Sequence, residues 1–322
     1  MMIETETVLD RRRLRRHVSF WRIAAIVVAL LAVGGLIMSS DSVQSLAQKD
    51  YIARVNITGT VTEDRKQLDL LNKIADDEKA VALIVFVNSP GGSATGGEAL
   101  YGALRKIAEK KPVVGQFGTV AASAGYIVGL GTDYIVSRGN SITGSIGVIA
   151  QWPEFAGILE KVGIAVNEIR SGELKALPSP FHPLEEKGRV ATQEMVDDSF
   201  HWFLDLVKKR RGIDTATVPG LEKGRVFTGR QALEHKLVDA IGGEDEVRTW
   251  LKEKHKIDND LKIVEKKPES DSKLGFLGAS HASVREIAAE LVSGATDALT
   301  GGAATHALRL DGLVSVWHPS EN

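Results

Sequence analysis

The sequence predicts an α/β fold, because strand-like and helix-like segments alternate between Tyr51 and about Ile263. A continuous apolar run, AVALIVFVN (80–88), ends at Pro90 and two glycines. Such a run is typical of a parallel strand that is buried on both faces. A helix-like segment follows it, and this order favours right-handed βαβ crossovers within one sheet.

The elements are predicted in chain order from the spacing of their apolar residues. Strands are expected where apolar and β-branched residues cluster: 51–61, 80–88, 112–117, 133–137 and 164–170. Helices are expected where apolar residues recur at helical spacing or small residues dominate: 68–76, 96–110, 121–129 and 185–211. One α/β domain follows from this alternation.

Composition narrows the class of protein. The chain has 322 residues, of which 43% are hydrophobic, enough for one large domain or two small ones. A net charge of −2 gives no global basic field, so we expect no nucleic-acid partner. The absence of cysteine excludes disulfides and thiolate metal sites, and it suits an oxidising compartment.

An N-terminal membrane anchor is predicted at residues 18–38. A cluster of arginines precedes an apolar segment whose uninterrupted core, Ile23 to Met38, is slightly shorter than the roughly 20 residues of a span. Trp21 and Arg22 suit the interface and restore the length. The positive-inside rule then places residues 1–17 in the cytoplasm. Everything after Ser40 is expected on the periplasmic or extracytoplasmic side of the inner membrane.

The alternative is a cleaved signal peptide, with Ser45-Leu46-Ala47 as the cleavage site. The long charged region before the apolar core favours a retained anchor. Beyond the anchor, the composition predicts a linker (39–50), a globular domain (51–264) and a solvated linker (265–281). The last segment (282–322) is expected to hold an amphipathic helix (284–299) and a flexible tail with the apolar patch LDGLVSVW (310–317).

The stretch NSPGGS (88–93) lies where a buried strand ends. In open α/β sheets this edge is where ligands usually bind. The pair Gly91–Gly92 lets the backbone turn and direct its N–H groups outward, and such groups stabilise a developing oxyanion. A plain turn between strand and helix explains the same residues.

Ser123 is the candidate nucleophile, in the stretch GTVAASAGYIVG (118–129). A helix predicted to begin near Ala121 would place it in the first turn, where free N–H groups favour negative charge. Its small neighbours leave room for a substrate carbonyl. The alternative is a serine that merely packs within a small-residue helix.

A serine nucleophile needs a base, which Ser123 must obtain from elsewhere in the chain. Among the histidines of the domain, His182 lies in a loop, whereas His201 and His235 lie in charged helical patterns. Lys175 also lies in a loop, between Gly172 and two prolines. A lysine base must be neutral, which requires desolvation, and activity should then rise from neutral to alkaline pH.

Stretches in a fixed order carry a resemblance to a known family: VNSPGGS (87–93), AASAGY (121–126), TGSIGVI (143–149), IRSGELKALPSP (169–180) and GRVFTGRQALEHKLVDAIGG (224–243). From about Tyr51 to Glu244 the chain resembles the short, single-domain form of bacterial signal peptide peptidase A, a family of membrane-anchored serine proteases. The resemblance implies a Clp protease/crotonase-like spiral of ββα units.

The resemblance also implies roles for individual residues. Ser123 corresponds to the nucleophile and Lys175 to the general base of a Ser-Lys dyad. The Gly91–Gly92 pair contributes to the oxyanion hole, with the N–H groups of Gly92 and Ala124 as the two donors. Ser145 corresponds to a family serine that we expect to orient the lysine, although a role as a turn residue explains it equally well.

The sequence departs from the family pattern at two places. Ala124 stands where the family commonly has glycine, which leaves the backbone donor in place. The usual Gly-Leu-Val-Asp near the end of the domain is Lys236-Leu237-Val238-Asp239 here, outside the expected dyad.

The function implied is a serine endopeptidase that hydrolyses hydrophobic signal peptides after their release from preproteins. It needs no metal, nucleotide or other cofactor. The family forms ring-shaped homo-oligomers, and the spacing of Ser123 and Lys175 leaves open whether they pair within one subunit or between two.

Two other classes of function are weighed against this one. A crotonase-type acyl-CoA enzyme would share the fold, but such enzymes use carboxylates, which are absent beside AASAGY, and they lack an anchor. A membrane-tethered scaffold with an inactive protease domain is the other alternative. The presence of both Ser123 and Lys175 argues against it.

Overall fold

Parallel strands joined by helices form the first half of the domain. The computed structural model describes residues 49–268 and 314–316. The first elements are β1 (Tyr51–Val61), α1 (Arg65–Asp76), β2 (Ala80–Ser93), α2 (Ala94–Ala108), β3 (Val113–Ala122) and α3 (Ala124–Leu130). They belong to a compact unit that begins at Tyr51.

Shorter strands and one long helix follow. These are β4 (Tyr134–Ser137), β5 (Ile142–Gly144), α4 (Ala156–Lys161), α5 (Glu186–Arg211), β6 (Val226–Thr228), α6 (Gly229–Glu234), β7 (Ala240–Ile241), α7 (Glu244–His255), β8 (Ile263–Glu265) and β9 (Val314–Val316). Short 3₁₀ turns lie between α5 and β6.

One sheet joins all the described strands, in the order β6-β5-β3-β2-β1-β8. The central strands β1, β2 and β3 are parallel. β3 has two different partners on its outer edge, since Val114–Gln116 pairs with β4 and Val120–Ala122 pairs with β5. β9 pairs antiparallel with the end of β2. The sheet therefore branches near the ends of β2 and β3.

Both faces of the central strands are buried. Alternate residues of a strand point to opposite faces, and a separate core packs on each face. The larger core includes Leu83, Val85 and Val87 of β2 and side chains from α1, α2, α3 and α5. The smaller core includes Ala82 and Ile84 of β2 with Val247 and Leu251 of α7. The prediction of an α/β fold with a parallel strand buried on both faces is confirmed.

Local signals in the sequence fix several helix boundaries. Asp64 caps α1, since its side chain accepts a hydrogen bond from the Lys66 N–H (2.9 Å). Ser93 ends β2 and also caps α2 through the Gly96 N–H (3.1 Å). The strand therefore passes into the helix without an intervening loop, which holds the glycine pair at a defined edge.

Three sequence-based predictions of local structure are wrong. No strand forms at 164–170, which has no regular secondary structure and no strand partner in the described residues. The segment 121–129 is not one helix, because β3 runs through Ala122 and α3 begins at Ala124. The tail predicted around LDGLVSVW contains the strand β9. In each case pairing with other parts of the chain, and not local composition, decides the structure.

Two other expected elements, the anchor at 18–38 and the amphipathic helix at 284–299, lie outside the described residues. Within the described ranges, no helix combines the length and apolar character needed to cross a bilayer.

Candidate active site

Ser123 lies at the sharp junction between β3 and α3. Its backbone has φ of 57° and ψ of −120°, in a region that residues other than glycine rarely adopt. The Ser123 N–H donates to the carbonyl of Gly144 (2.9 Å), and its own carbonyl accepts from the N–H groups of Tyr126 (2.9 Å) and Ile127 (3.0 Å). A strained serine between a strand and a helix has the geometry of a nucleophile elbow.

The surroundings of Ser123 are apolar and closed. The residue is 1% exposed, and Ala121, Ala122 and Ala124 are fully buried around it. Ala124 is the first residue of α3, and the first N–H groups of a helix have no acceptor within that helix. An oxyanion formed at Ser123 would therefore have the Ala124 N–H as a donor nearby.

The glycine pair lies on the neighbouring strand, where β2 separates from β3. The last residues at which β2 and β3 pair with each other are Ser89 and Ala121. Gly91 then adopts φ of 133°, a conformation that requires glycine, and its N–H donates to the buried Ser89 hydroxyl (3.1 Å). Because the Gly91 N–H is bonded to Ser89, Gly92 is the residue of the pair to consider as an oxyanion donor.

Close contacts explain two glycines of the site. A Cβ atom added to Gly92 would lie 1.9 Å from the Val61 carbonyl oxygen. A Cβ atom on Gly125 would lie 2.8 Å from the Ser89 carbonyl oxygen. These contacts hold β1, β2 and α3 together around Ser123, with no space for a larger residue.

Ser145 follows the residue that anchors Ser123. Gly144 accepts the Ser123 N–H, and the next residue, Ser145, has φ of 50° and donates its own N–H to the Arg225 carbonyl (3.0 Å). Ser145 is half-buried and lines an open cavity of about 420 Å³, together with residues 146–149, side chains of α5 and the turn at 222–224. Ser123 and Ser145 thus share one end of the sheet.

Lys175 lies in a different environment. It is exposed on a segment that runs from Ile149 to Leu184, which we call the apolar extension, and its backbone N–H donates to the Gly172 carbonyl (3.1 Å). No hydrogen bond between Lys175 and Ser123 occurs among the described residues. Within a single chain, the structure brings together Ser123, the glycine pair, Ala124 and Ser145, but not Lys175.

His182, the alternative base, also lies on the apolar extension. Its Nε2 atom is 3.6 Å from the Oε1 atom of Glu168. A hydrogen bond from Arg170 lowers the pKa of Glu168, which keeps that carboxylate charged. The structure therefore pairs His182 with a carboxylate of its own segment.

Large apolar side chains are exposed along the apolar extension. They include Ile149, Phe155, Ile158, Val162, Ile164, Ile169, Leu174, Phe181 and Leu184, and the Ile169 side chain is fully exposed. The described residues contain no group of three His, Asp or Glu side chains placed to hold a metal ion.

Two residues that support the site were not predicted from the sequence. Ser89 binds Gly91 through its hydroxyl, and Tyr126 donates a hydrogen bond from its buried hydroxyl to the Leu237 carbonyl (2.7 Å). Both lie inside stretches already singled out, NSPGGS and AASAGY. The two motifs therefore predicted the region of the chain that forms the site, but not these side-chain contacts.

Comparison with known proteins identifies the family. The profile of Peptidase family S49 matches residues 105–258, and the profile of Clp protease matches residues 39–139. A candidate protease from Synechocystis is 36% identical over 62% of this chain and 72% of its own length. A candidate signal peptide peptidase SppA from Enterococcus faecium is 32% identical over 71% of each chain. Protease 4 of Haemophilus influenzae is 34% identical over 68% of this chain and 33% of its own length.

Solved structures give weaker likenesses. A variant of a membrane-bound stomatin-specific protease, in complex with a substrate peptide, has a TM-score of 0.45 and 17% identity, covering 70% of this chain and 96% of that one. A ClpP1 variant from Listeria monocytogenes has a TM-score of 0.39 and 17% identity, covering 59% of this chain and 91% of that one.

The relatives, together with a mixed α/β domain that presents a strained serine, define a serine-type peptidase. The chain belongs to Peptidase family S49, the family of signal peptide peptidase A and Protease 4.

Proposed function

We propose that this peptidase is a membrane-anchored endopeptidase that uses Ser123 as nucleophile and Lys175 as general base to hydrolyse released signal peptides. The observation that carries the proposal is the strained position of Ser123, with its N–H fixed on Gly144 beside the glycine pair of β2. Strain of this kind persists at functional sites because the surrounding structure imposes it.

The reaction follows serine-protease chemistry. The neutral amine of Lys175 removes the proton of the Ser123 hydroxyl as its oxygen attacks the peptide carbonyl carbon. The N–H groups of Ala124 and Gly92 hold the resulting oxyanion. The lysine ammonium then gives its proton to the leaving amine. Water, deprotonated by the same lysine, releases the acyl group and restores the serine.

A second copy of the chain supplies the lysine in this proposal. Ser123 is buried in the domain, whereas Lys175 is exposed in a single chain, so the ammonium group is not desolvated there. A lysine base must lose water to become neutral near physiological pH. Packing of the apolar extension against a neighbouring subunit would desolvate Lys175 and bring it to the neighbour's Ser123. A ring-shaped homo-oligomer repeats this contact at every interface.

The substrate class is argued from the neighbourhood of Ser123. Small apolar residues surround the hydroxyl, and the edge of β2 beside it suits an extended main chain. Hydrophobic signal peptides in the bilayer have this character. The anchor predicted at residues 18–38 would hold the domain on the extracytoplasmic face of the inner membrane, close to such peptides.

Hydrolysis of a fluorogenic hydrophobic peptide tests the proposed dyad. We expect Ser123→Ala and Lys175→Ala each to lower kcat/KM by at least about a thousandfold. Lys161→Ala is the matched control, because Lys161 is another exposed lysine of the apolar extension and should leave turnover unchanged. Normal turnover by Ser123→Ala contradicts the mechanism, and a loss in His182→Ala with none in Lys175→Ala assigns the base to histidine.

Mixing the two inactive variants tests the shared site. If Lys175 acts on the Ser123 of a neighbour, subunit exchange creates sites with both intact residues, and activity returns in the mixture. A mixture of Ser123→Ala and Lys175→Ala that stays inactive, while labelled subunits are seen to exchange, places both residues in one subunit.

A further inference from the structure

The pairing between β2 and β3 is interrupted just before the two strands reach the site. The pairs on either side of the interruption are Val87 with Phe117 and Ser89 with Ala121. One residue of β2, Asn88, therefore lies opposite three residues of β3, 118–120. Extra residues on one strand form a β-bulge, which bends the strand and redirects the residues that follow it. Ser123 comes directly after this part of β3.

The side chain of Asn88 holds the bulge in place. Its Oδ1 atom accepts hydrogen bonds from the N–H groups of Thr119 (3.1 Å) and Val120 (3.2 Å). Consecutive N–H groups of a regular strand point to opposite edges, so both can reach one atom only because the chain is bulged there. A single side-chain oxygen thus fixes two consecutive residues of β3 in the bulged conformation.

Gly118, the first residue of the bulge, leaves room for this side chain. A Cβ atom added to Gly118 would lie 2.8 Å from the ring of Phe86 and 3.1 Å from the Cβ atom of Asn88. The Gly118 carbonyl accepts a hydrogen bond from the buried hydroxyl of Ser141, which immediately precedes β5. The bulge is therefore held by Asn88 from β2 and by Ser141 from the start of β5.

The bulge is also the point at which β3 changes its partner on its other edge. Before the bulge β3 pairs with β4, and after it β3 pairs with β5. The hydroxyl of Thr143 on β5 donates to the Ala121 carbonyl (2.7 Å), and the Gly144 carbonyl accepts the N–H of Ser123 (2.9 Å). The end of β3 thus leaves β2 and joins β5, the strand that carries the contact fixing Ser123.

We infer that Asn88 is a positioning residue for Ser123: by holding the bulge, it turns the end of β3 from β2 towards β5 and so sets where the serine hydroxyl lies relative to Gly92. This inference rests on the proposed function. A regular β3 would continue to pair with β2 beyond Ser89, and its end would not reach β5. Asn88 acts through the main chain, and a small displacement of a nucleophile is enough to slow its reaction strongly.

Two substitutions of similar size test whether the acceptor at position 88 matters. Asn88→Leu removes the acceptor, whereas Asn88→Asp keeps it. In the fluorogenic assay we expect Asn88→Leu to lower kcat by roughly 10–100-fold and to change KM by less than about threefold, because the nucleophile is misplaced while β2 remains available to the substrate. Asn88→Asp should keep kcat within about threefold of the unmodified protein, since a carboxylate also accepts both N–H groups. A normal kcat in Asn88→Leu overturns the inference.

Asn56→Leu is the matched control. Asn56 is also a half-buried asparagine of a central strand, but its side chain donates to Glu265 (3.0 Å) and not to β3. This variant should keep the kcat of the unmodified protein. An equal loss of kcat in Asn56→Leu and Asn88→Leu would assign the effect to a general loss of stability and overturn the inference. If Asn88→Leu does not fold, as judged by circular dichroism, Asn88→Ala removes the same acceptor without adding an apolar side chain.

Amide hydrogen exchange of the full chain in detergent tests the bulge without requiring hydrolysis. The N–H groups of Thr119, Val120 and Ser123 all donate hydrogen bonds in the structure. Asn88→Leu should speed their exchange by about tenfold or more, because the bulge opens and the contact of Ser123 with β5 weakens. Asn88→Asp should leave the exchange slow. Unchanged exchange at Ser123 in Asn88→Leu overturns the positioning role.

The two measurements together separate this inference from the proposed function. If Ser123→Ala retains full turnover, the proposed function fails, whereas faster exchange at Ser123 in Asn88→Leu still supports the positioning of that residue by Asn88. If hydrolysis requires Ser123 and Asn88→Leu changes neither kcat nor exchange, the proposed function stands and the positioning role fails.

Discussion

Ser123 holds a main-chain conformation that costs roughly 1–3 kcal/mol for a residue with a side chain. The cost is met by contacts outside its own helix, above all the hydrogen bond from its N–H to the Gly144 carbonyl of β5. The position of the proposed nucleophile therefore depends on β5, a strand that lies further along the chain. Changes in β5 should affect catalysis even where they leave Ser123 itself untouched.

Gly92→Ala should damage both stability and activity. The new Cβ atom would meet the Val61 carbonyl at 1.9 Å, so β1 and β2 must move apart. We expect the free energy of unfolding to fall by about 1–3 kcal/mol. Turnover should fall by roughly 10²–10³, because the proposed oxyanion donor moves with the strand. Urea denaturation followed by circular dichroism, together with the fluorogenic assay, measures the two effects.

Gly102→Ala is the control for this substitution. Gly102 lies inside α2 and has nothing within 4 Å of an added Cβ atom. In a helix interior the change should raise stability by about 0.5–1 kcal/mol and leave turnover unchanged. Equal effects of the two substitutions would show that the contact at Gly92 does not constrain the site.

At this scale the sequence predicted which residues to examine but not their conformations. Ala124, where the family commonly has glycine, is helical, and its Cβ atom packs beside Gly97 of α2. Lys236, the other departure, has φ of 58°, a left-handed conformation that favours glycine. Its carbonyl accepts a hydrogen bond from the Arg211 guanidinium (2.7 Å). The two departures look alike in sequence, and only the backbone shows that one is strained.

Among the elements, β3 shows why boundaries were harder to predict than the fold. The strand was expected to end at residue 117, because Gly118 and Thr119 break its apolar run. It continues to Ala122, since Val120–Ala122 pairs with β5. Alanine favours helices, so local propensity alone starts the helix too early, and pairing with β5, which is distant in the sequence, overrides it.

The missing strand at 164–170 has the converse explanation. The segment has an apolar pattern typical of a strand, but its apolar side chains, including Ile164 and Ile169, are exposed. A strand needs a partner for its hydrogen bonds, and the described residues provide none. An apolar pattern predicts a buried strand correctly only if another part of the protein packs against those side chains.

The stability of the fold should depend on pH through Tyr126, whose hydroxyl joins α3 to the segment before β7. Burial raises the pKa of its hydroxyl, which donates to the Leu237 carbonyl. The unfolded chain ionises this group near pH 10, whereas the folded chain keeps it protonated to higher pH. A raised pKa in the folded state means that the stability from this group is present below about pH 10 and is lost above it.

Tyr126→Phe should therefore flatten the alkaline part of the stability curve. At pH 8 the variant should be less stable by about 1 kcal/mol, because the hydrogen bond is lost. Between about pH 10 and 11 its unfolding free energy should fall less steeply than that of the unmodified protein. Tyr101→Phe on α2, where the tyrosine is only half-buried, is the control. Parallel curves for the Tyr126→Phe and unmodified proteins would contradict this account.

For the whole molecule, the apolar extension is the main feature that a single chain leaves unexplained. Residues 149–184 expose large apolar side chains along most of their length, and such exposure commonly marks an interaction surface. Only the family resemblance implied a homo-oligomer, because the spacing of apolar residues in one chain does not show which surfaces contact another copy. The anchor and the C-terminal helix remain predictions, since both lie outside the described residues.

Ile169→Asp should dissociate the proposed oligomer. Ile169 is fully exposed in a single chain, so the substitution leaves the fold intact and places a charge in the interface. Sedimentation velocity in detergent should show smaller species, and turnover should fall in parallel if Lys175 acts between subunits. Lys254→Asp on α7 is the control, because it also introduces an exposed carboxylate. An Ile169→Asp protein with unchanged assembly would remove this surface from the interface.

A serine that is 1% exposed also determines which proteins the enzyme leaves intact. Because its hydroxyl is buried, we expect a substrate to reach it only as a single extended main chain, without neighbouring strands of its own. A folded protein must first open locally, so its cleavage rate follows the small population of the open form. We therefore expect stably folded proteins to be protected by their own stability, with no recognition code needed to spare them. The ratio of cleavage rates for one polypeptide, folded and unfolded, measures this protection.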